Sequence, residues 1–190
     1  MIRGIIFDCF GVLYGGSLEA LIAMCPPENV EQLRDINKQA DYGYISGEEY
    51  IAGLARLVGR SEQEIASIIR EKHVRNEDLV EYAMSLRSDY KVGMLSNISS
   101  GLMDPLFSPK DRRTMFDAVI LSYEETLAKP NPAVFELMAE RLGLKPEECV
   151  MIDDLEPNCD GAEIAGMKSI QHTSNETTKR ELQALLAATD

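Results

Sequence analysis

Apolar residues in this chain fall into two patterns, and the way these alternate sets out an architecture. Short uninterrupted runs rich in β-branched residues mark strands buried on both faces. They occur at Ile2 to Phe7, Val92 to Leu95 and Val150 to Ile152, with Ala118 to Leu121 and a weaker Lys168 to Gln171 beside them. Stretches of helical period separate the later runs. From Pro132 to Arg141 the apolar positions are Val134, Leu137 and Met138, and Gly143 suits the residue just past a helix end. Asn158 to Ala165 and Glu176 to Ala187 read the same way. Strands alternating with helices predict an α/β fold built on a Rossmann-like, doubly wound parallel sheet.

The segment between the first two runs is different. It has no strand pattern, only amphipathic stretches at Leu18–Met24, Val30–Asp41, Gly47–Val58, Glu62–His73 and Asp78–Leu86. Breaks fall at Pro26-Pro27, Tyr42–Ser46, Gly59–Ser61 and Asn76. Ser46 with Glu49, and Ser61 with Glu64, have the spacing of capping boxes. The expected organisation is a core of residues 1–16 and 89–190, interrupted by a small helical insert over 17–88.

A hydrophobic content of 45% in 190 residues is enough for a real core. No apolar run reaches the length of a membrane span. The stretch Met1 to Leu13 is broken by Asp8 and leads into Tyr14-Gly15-Gly16 rather than a cleavage pattern. A cytoplasmic location away from membranes is the expectation. The 19 Lys+Arg against 32 Asp+Glu give a net charge of -13, which repels nucleic-acid backbones and anionic lipids. The same charge means that an anionic substrate needs local positive charge, which a metal ion and one placed lysine can supply. Cys9, Cys25, Cys149 and Cys159 form no CxxC pair and no ligand spacing with His73 or His172. They read as reduced, buried thiols and the histidines as structural, which leaves catalysis to carboxylates.

Four places carry candidate chemistry. Asp8 ends the first run and enters the turn Cys9-Phe10-Gly11, where open α/β sheets bind ligands; a solvated turn aspartate is the plainer alternative. The second run ends in Ser96-Asn97, a hydroxyl and an amide that can hold phosphate oxygens together with the N–H groups of a helix start. Ser96 serves equally well as a helix N-cap. Lys129 precedes Pro130, which favours an extended backbone and so aims the side chain. It can neutralise a carboxylate–phosphate pair or stand solvated in a turn. Asp153-Asp154 closes the fourth run, with Asn158 and Gly161 beyond it. Adjacent carboxylates repel unless a cation sits between them, and oxygen ligands favour magnesium. The alternative is an acidic helix start favoured by the helix dipole.

In this order and placement, the four sites resemble the four motifs of the haloacid dehalogenase-like superfamily, and residues 17–88 resemble its small helical cap. The residues Asp153-Asp154…Asn158…Gly161-Ala162…Ala165-Gly166-Met167, with Leu95-Ser96-Asn97 and Gly43-Tyr44-Ile45-Ser46, are similar to one branch of it. That branch contains α-D-glucose-1-phosphate phosphatase and the epoxide hydrolase N-terminal domain.

The resemblance implies strand order 5-4-1-2-3 and an Mg2+-dependent phosphatase in which Asp8 attacks phosphorus to form an aspartyl-phosphate. Magnesium would be held by Asp8, the Phe10 backbone oxygen and Asp154, with Asp153 binding it directly or through water. Ser96 and the Asn97 backbone would hold the phosphoryl group, and Lys129 would bridge Asp8 and phosphate. The implied partner is a small phosphorylated metabolite, sugar phosphates favoured.

One position departs from the family pattern. Phe10 stands where the family's phosphatases usually carry a second aspartate as general acid and base, help worth ~10²–10⁴ in rate. Three explanations stay open. The substrate can have a good leaving group; another group, such as Tyr14, Asp41 or Glu48, can supply the proton; or hydrolysis is weak or lost and a binding protein remains. A 2-haloacid dehalogenase and a phosphomutase rank behind these, the former because its family members lack the paired aspartates. Tyr42, Tyr44 and Tyr50 can contact substrate, although packing is the expectation for most of them.

Overall fold

The computed structural model describes residues 1–188. Five strands form one parallel sheet: β1 Gly4–Phe7, β2 Lys91–Ser96, β3 Ala118–Leu121, β4 Cys149–Asp153 and β5 Lys168–Gln171. They lie in the order β3-β2-β1-β4-β5, the order that the family resemblance implies. Alternation, with both faces covered, explains why the central strand segments are mostly apolar. Ile5, Phe7, Val92, Met94, Val150 and Ile152 pack on one face, while Ile6, Leu95, Ile120 and Met151 pack on the other.

Ten α-helices accompany the sheet among the described residues. Between β1 and β2 come α1 Leu18–Met24, α2 Val30–Asp41, α3 Gly47–Val58, α4 Glu62–Lys72 and α5 Glu77–Ser85. The first three coincide with the ranges read from periodicity. Both capping boxes form, with the Ser46 and Ser61 side chains accepting from the Glu49 and Glu64 N–H groups. After β2 come α6 Pro109–Met115, α7 Ser122–Glu125, α8 Pro132–Leu142, α9 Glu156–Ile164 and α10 Asn175–Ala187. Gly143 ends α8 in the left-handed region at φ 72, as a C-terminal glycine should. Helices α6 and α7 have no counterpart in the sequence reading. At 7 and 4 residues they are too short to show a period.

Helices α1 to α4 enclose a core of their own, with Leu21, Leu33, Leu54 and Ile65 fully buried. Each such side chain contributes about 1.5–3 kcal/mol. Helix α5 behaves otherwise, packing Leu79, Val80 and Ala83 on the first face of the sheet. The two crossings between the layers run side by side. Gly15 N–H donates to Val74 O at 2.9 Å, and Asn76 N–H to Leu13 O at 2.9 Å. Asn76 Nδ2 donates to Val12 O at 2.9 Å. All four cysteines are unpaired and buried, and among the described residues no helix is long and apolar enough to cross a membrane.

Candidate active site

The carboxyl ends of β1, β2 and β4 meet below α1 to α4, around a cavity of about 350 Å³. Asp8, Phe10, Asn97, Lys129 and Asp154 line it. Ligand oxygens of Asp8, Asp153 and Asp154 all lie within 4.8 Å of one another. The tertiary structure thus brings Asp8 to the Asp153-Asp154 pair, some 145 residues away in the sequence.

One cation sits among them. Lys129 Nζ is 2.8 Å from Asp8 Oδ1 and 2.6 Å from Asp153 Oδ2, with its side chain fully buried. Burial works against this ammonium, but Asp153 and Asp8 more than offset it and hold its pKa above the ordinary value. Burial pushes the Asp8 carboxyl well above its usual range; Lys129 pulls it back, and Asp153 and Asp154 push it further up. Asp154 is raised by its partial burial and then by Asp153.

The placement of Lys129 has a specific cause. Asn97 Oδ1 accepts from the Lys129 N–H at 2.9 Å, and Asn97 Nδ2 donates to the Lys129 carbonyl at 2.9 Å. One side chain at the tip of β2 therefore clamps the backbone of the lysine on both sides, ahead of the cis Lys129–Pro130 peptide bond. Removing this clamp in Asn97→Ala is expected to lower unfolding free energy in urea by about 1–3 kcal/mol for each buried backbone group left unpaired.

Asp153 is also held in place. Its Oδ1 accepts from Asn158 Nδ2 at 2.9 Å and from the Leu155 N–H at 3.0 Å, while Oδ2 faces Lys129. Asp154 stands nearer the cavity, and Gly11 makes room for it. A Cβ on Gly11 would lie 2.3 Å from the Asp154 carboxyl carbon, and the residue has φ +85, so this turn requires glycine on both counts. Three converging carboxylates against one ammonium, with oxygen as the only donor type, fit a hard divalent cation.

Several site residues stand differently from the sequence reading. No helix starts behind Ser96; residues 97–108 are irregular up to α6. The free N–H groups expected from such a start are therefore not supplied there. Ser96 has no exposed surface, and its hydroxyl donates to the Asn97 carbonyl at 3.5 Å. Ser99 does line the cavity, and its buried Oγ has no hydrogen-bond partner among the described residues. His73, read as structural, lines the cavity too, its ring against Phe10 in a tilted contact at 4.6 Å between centroids.

Of the tyrosines, Tyr50 is buried and lines the cavity, whereas Tyr44 is exposed and stacks on Tyr42 at 5.6 Å. The other missed group is Asn37, whose Nδ2 donates to Asp41 Oδ2 at 2.9 Å. A polar pair at i,i+4 on α2 was a visible signal for it; Ser99 offered none.

Comparisons with known proteins agree with this geometry. The family model for haloacid dehalogenase-like hydrolases matches residues 2–166. D-ribitol-5-phosphate phosphatase of Bacteroides thetaiotaomicron is 26% identical over 98% of this chain and 99% of its own length. Mouse acyl-CoA dehydrogenase family member 10 is 41% identical over 42% of this chain, a stretch that spans only 7% of that protein. A HAD family enzyme of Bacteroides thetaiotaomicron, solved with magnesium and inorganic phosphate, superposes with a TM-score of 0.74 at 25% identity. That match covers 92% of this chain and 96% of the other. The family match over most of the sequence, on a sheet that gathers its carboxylates at one end, means that this chain belongs to the haloacid dehalogenase-like hydrolases.

Proposed function

We propose that the protein is a magnesium-dependent phosphatase that hydrolyses a small phosphomonoester through Asp8. The observation that carries this reading is the convergence of buried Asp8 and Asp153 on Lys129, with half-buried Asp154 beside them. Such a cluster suits phosphoryl transfer, in which charge neutralisation and positioning outweigh covalent chemistry. Asp8 attacks phosphorus as the ester oxygen leaves, and water then cleaves the aspartyl-phosphate. Lys129 favours the ionised form of Asp8 against its burial and orients it while an anion approaches. Asp8, Asp154 and the Phe10 carbonyl would hold magnesium, with Asp153 behind them, and the ion would add positive charge at the phosphoryl oxygens. Asn97 and Ser99 line the wall that a phosphoryl group meets, so in this reading Ser99 presents the hydroxyl that the sequence suggested for Ser96.

The substrate class follows from the rest of the wall. Lys129 is the one lysine or arginine among the lining residues, against Asp8, Glu19, Asp41 and Asp154. A second anionic group on the substrate has no cation to meet, whereas hydroxyls can find Asn37, Tyr50 and Ser99. A small polyhydroxylated alcohol phosphate fits, in keeping with the sugar-alcohol phosphate named for the Bacteroides relative. In this proposal α1 to α4 form the module over the site that chooses the substrate, and α5 belongs to the α/β core.

A second reading rests on Phe10. Its ring faces His73, so the position two after Asp8 offers no carboxylate, and a binding protein without turnover would look the same there. A phosphomonoester panel separates the two readings. Magnesium should support turnover of p-nitrophenyl phosphate and at least one sugar or polyol phosphate, EDTA should abolish it, and bisphosphates should be poor substrates. No turnover across the panel, or halide release from 2-chloropropionate in EDTA, would overturn the phosphatase.

A further inference from the structure

The general acid and base that Phe10 cannot provide must come from elsewhere on the cavity wall. Of the groups raised by the sequence, Tyr14 is engaged: its hydroxyl donates to Leu106 O at 2.7 Å, and it does not line the cavity. Glu48 is exposed on α3 and is not on the wall either. Asp41, the last residue of α2, is on it.

Two residues, one on each of two helices, fix its position. Buried Tyr50 on α3 donates through its hydroxyl to Asn37 Oδ1 at 2.7 Å. Asn37, one turn before Asp41 on α2, donates through Nδ2 to Asp41 Oδ2 at 2.9 Å. This relay uses one carboxylate oxygen; Oδ1 has no hydrogen bond among the described residues. Ser99 lines the same cavity with a buried, unpartnered hydroxyl; buried polar groups are normally satisfied, so this hydroxyl and the free Asp41 oxygen mark a wall built for a ligand. His73 is the rival, but its ring has only a tilted contact with Phe10 and no hydrogen bond among the described residues. A catalytic imidazole normally has an orienting partner on its second nitrogen.

We propose that Asp41 is the catalytic acid and base of this enzyme, positioned by Asn37 and Tyr50; the inference rests on the phosphatase reading. As Asp8 bonds to phosphorus and the ester P–O bond breaks, protonated Asp41 passes its proton to the leaving alkoxide, which departs as the alcohol. The ionised Asp41 then takes a proton from the water that attacks the aspartyl-phosphate, releasing phosphate and restoring Asp8 as a carboxylate. Burial supports this role by raising the Asp41 carboxyl to about 7, with Lys129 opposing, so that both forms are populated near neutrality.

The test compares leaving groups. p-Nitrophenolate departs without a proton, whereas the alkoxide of glycerol 3-phosphate or a sugar phosphate needs one. In Asp41→Asn with magnesium, kcat is expected to fall on both esters because the water step is shared, whereas kcat/KM, which reports transfer to Asp8, is expected to fall about 100-fold or more on the alkyl phosphate and at least about 30-fold less on p-nitrophenyl phosphate. Retained turnover of the aryl ester is itself proof that the variant folds and binds metal. Equal losses of kcat/KM on both esters, or no loss on either, overturn the role of Asp41. So does a selective loss in His73→Gln that Asp41→Asn lacks. A wild type that turns over neither ester overturns the phosphatase reading, and this inference with it, so the two failures are distinguishable.

Discussion

Asp8→Asn is expected to abolish measurable hydrolysis of p-nitrophenyl phosphate while leaving the protein folded. The amide has nearly the same shape as the carboxylate, and its oxygen can still accept from the Cys9 N–H, which donates to Asp8 Oδ1 at 2.6 Å. It cannot attack phosphorus at a useful rate, and no second carboxylate is placed to take over. Asp153 is committed to Asn158, Leu155 and Lys129, and Asp154 is only the neighbour in the cluster. Without metal, the variant should resist urea at least as well as the wild type, because one of three mutually repelling carboxylates has gone. Substantial turnover in Asp8→Asn would place the nucleophile elsewhere and end the proposed chemistry.

Lys129→Met should damage both stability and activity. The side chain is fully buried and is the near cation for both Asp8 and Asp153. Taking one partner from a buried ion pair typically costs about 3–5 kcal/mol, because the remaining charge is neither solvated nor paired. Here two carboxylates lose the same partner. Urea unfolding of the metal-free protein should show a loss of that order, and turnover should vanish. Adding Asp8→Asn to Lys129→Met should recover part of the stability and none of the activity, since the two residues are in contact and their effects do not add. If Lys129→Met is as stable as the wild type, the ammonium is not compensating the cluster.

Much of the fold was legible in the sequence for a local reason. Helices α1 to α3 were bounded correctly because proline, glycine and serine punctuate them, and a capping box depends on only four consecutive residues. The central strands were legible because both faces of the sheet are covered there, which makes most of their positions apolar. Helix α5 shows the limit. Its period is as clear as that of α4, yet Leu79 and Val80 join the sheet while Ile65 and Ile69 join the helical core. Periodicity reveals that a face is buried, not against what.

The site divides along the same line. The amino-acid sequence alone determined which residue types stand at the strand ends, Asp8, Ser96 and the Asp153-Asp154 pair, and that Lys129 precedes a helix. Only tertiary structure decided how they are used. It enclosed Ser96 and brought Ser99 to the wall, made the Asn97 side chain a clamp on a lysine 32 residues away, and set His73 against Phe10. Each of these outcomes depends on where two distant segments meet. That is settled by the packing of whole layers, and no local spacing encodes it.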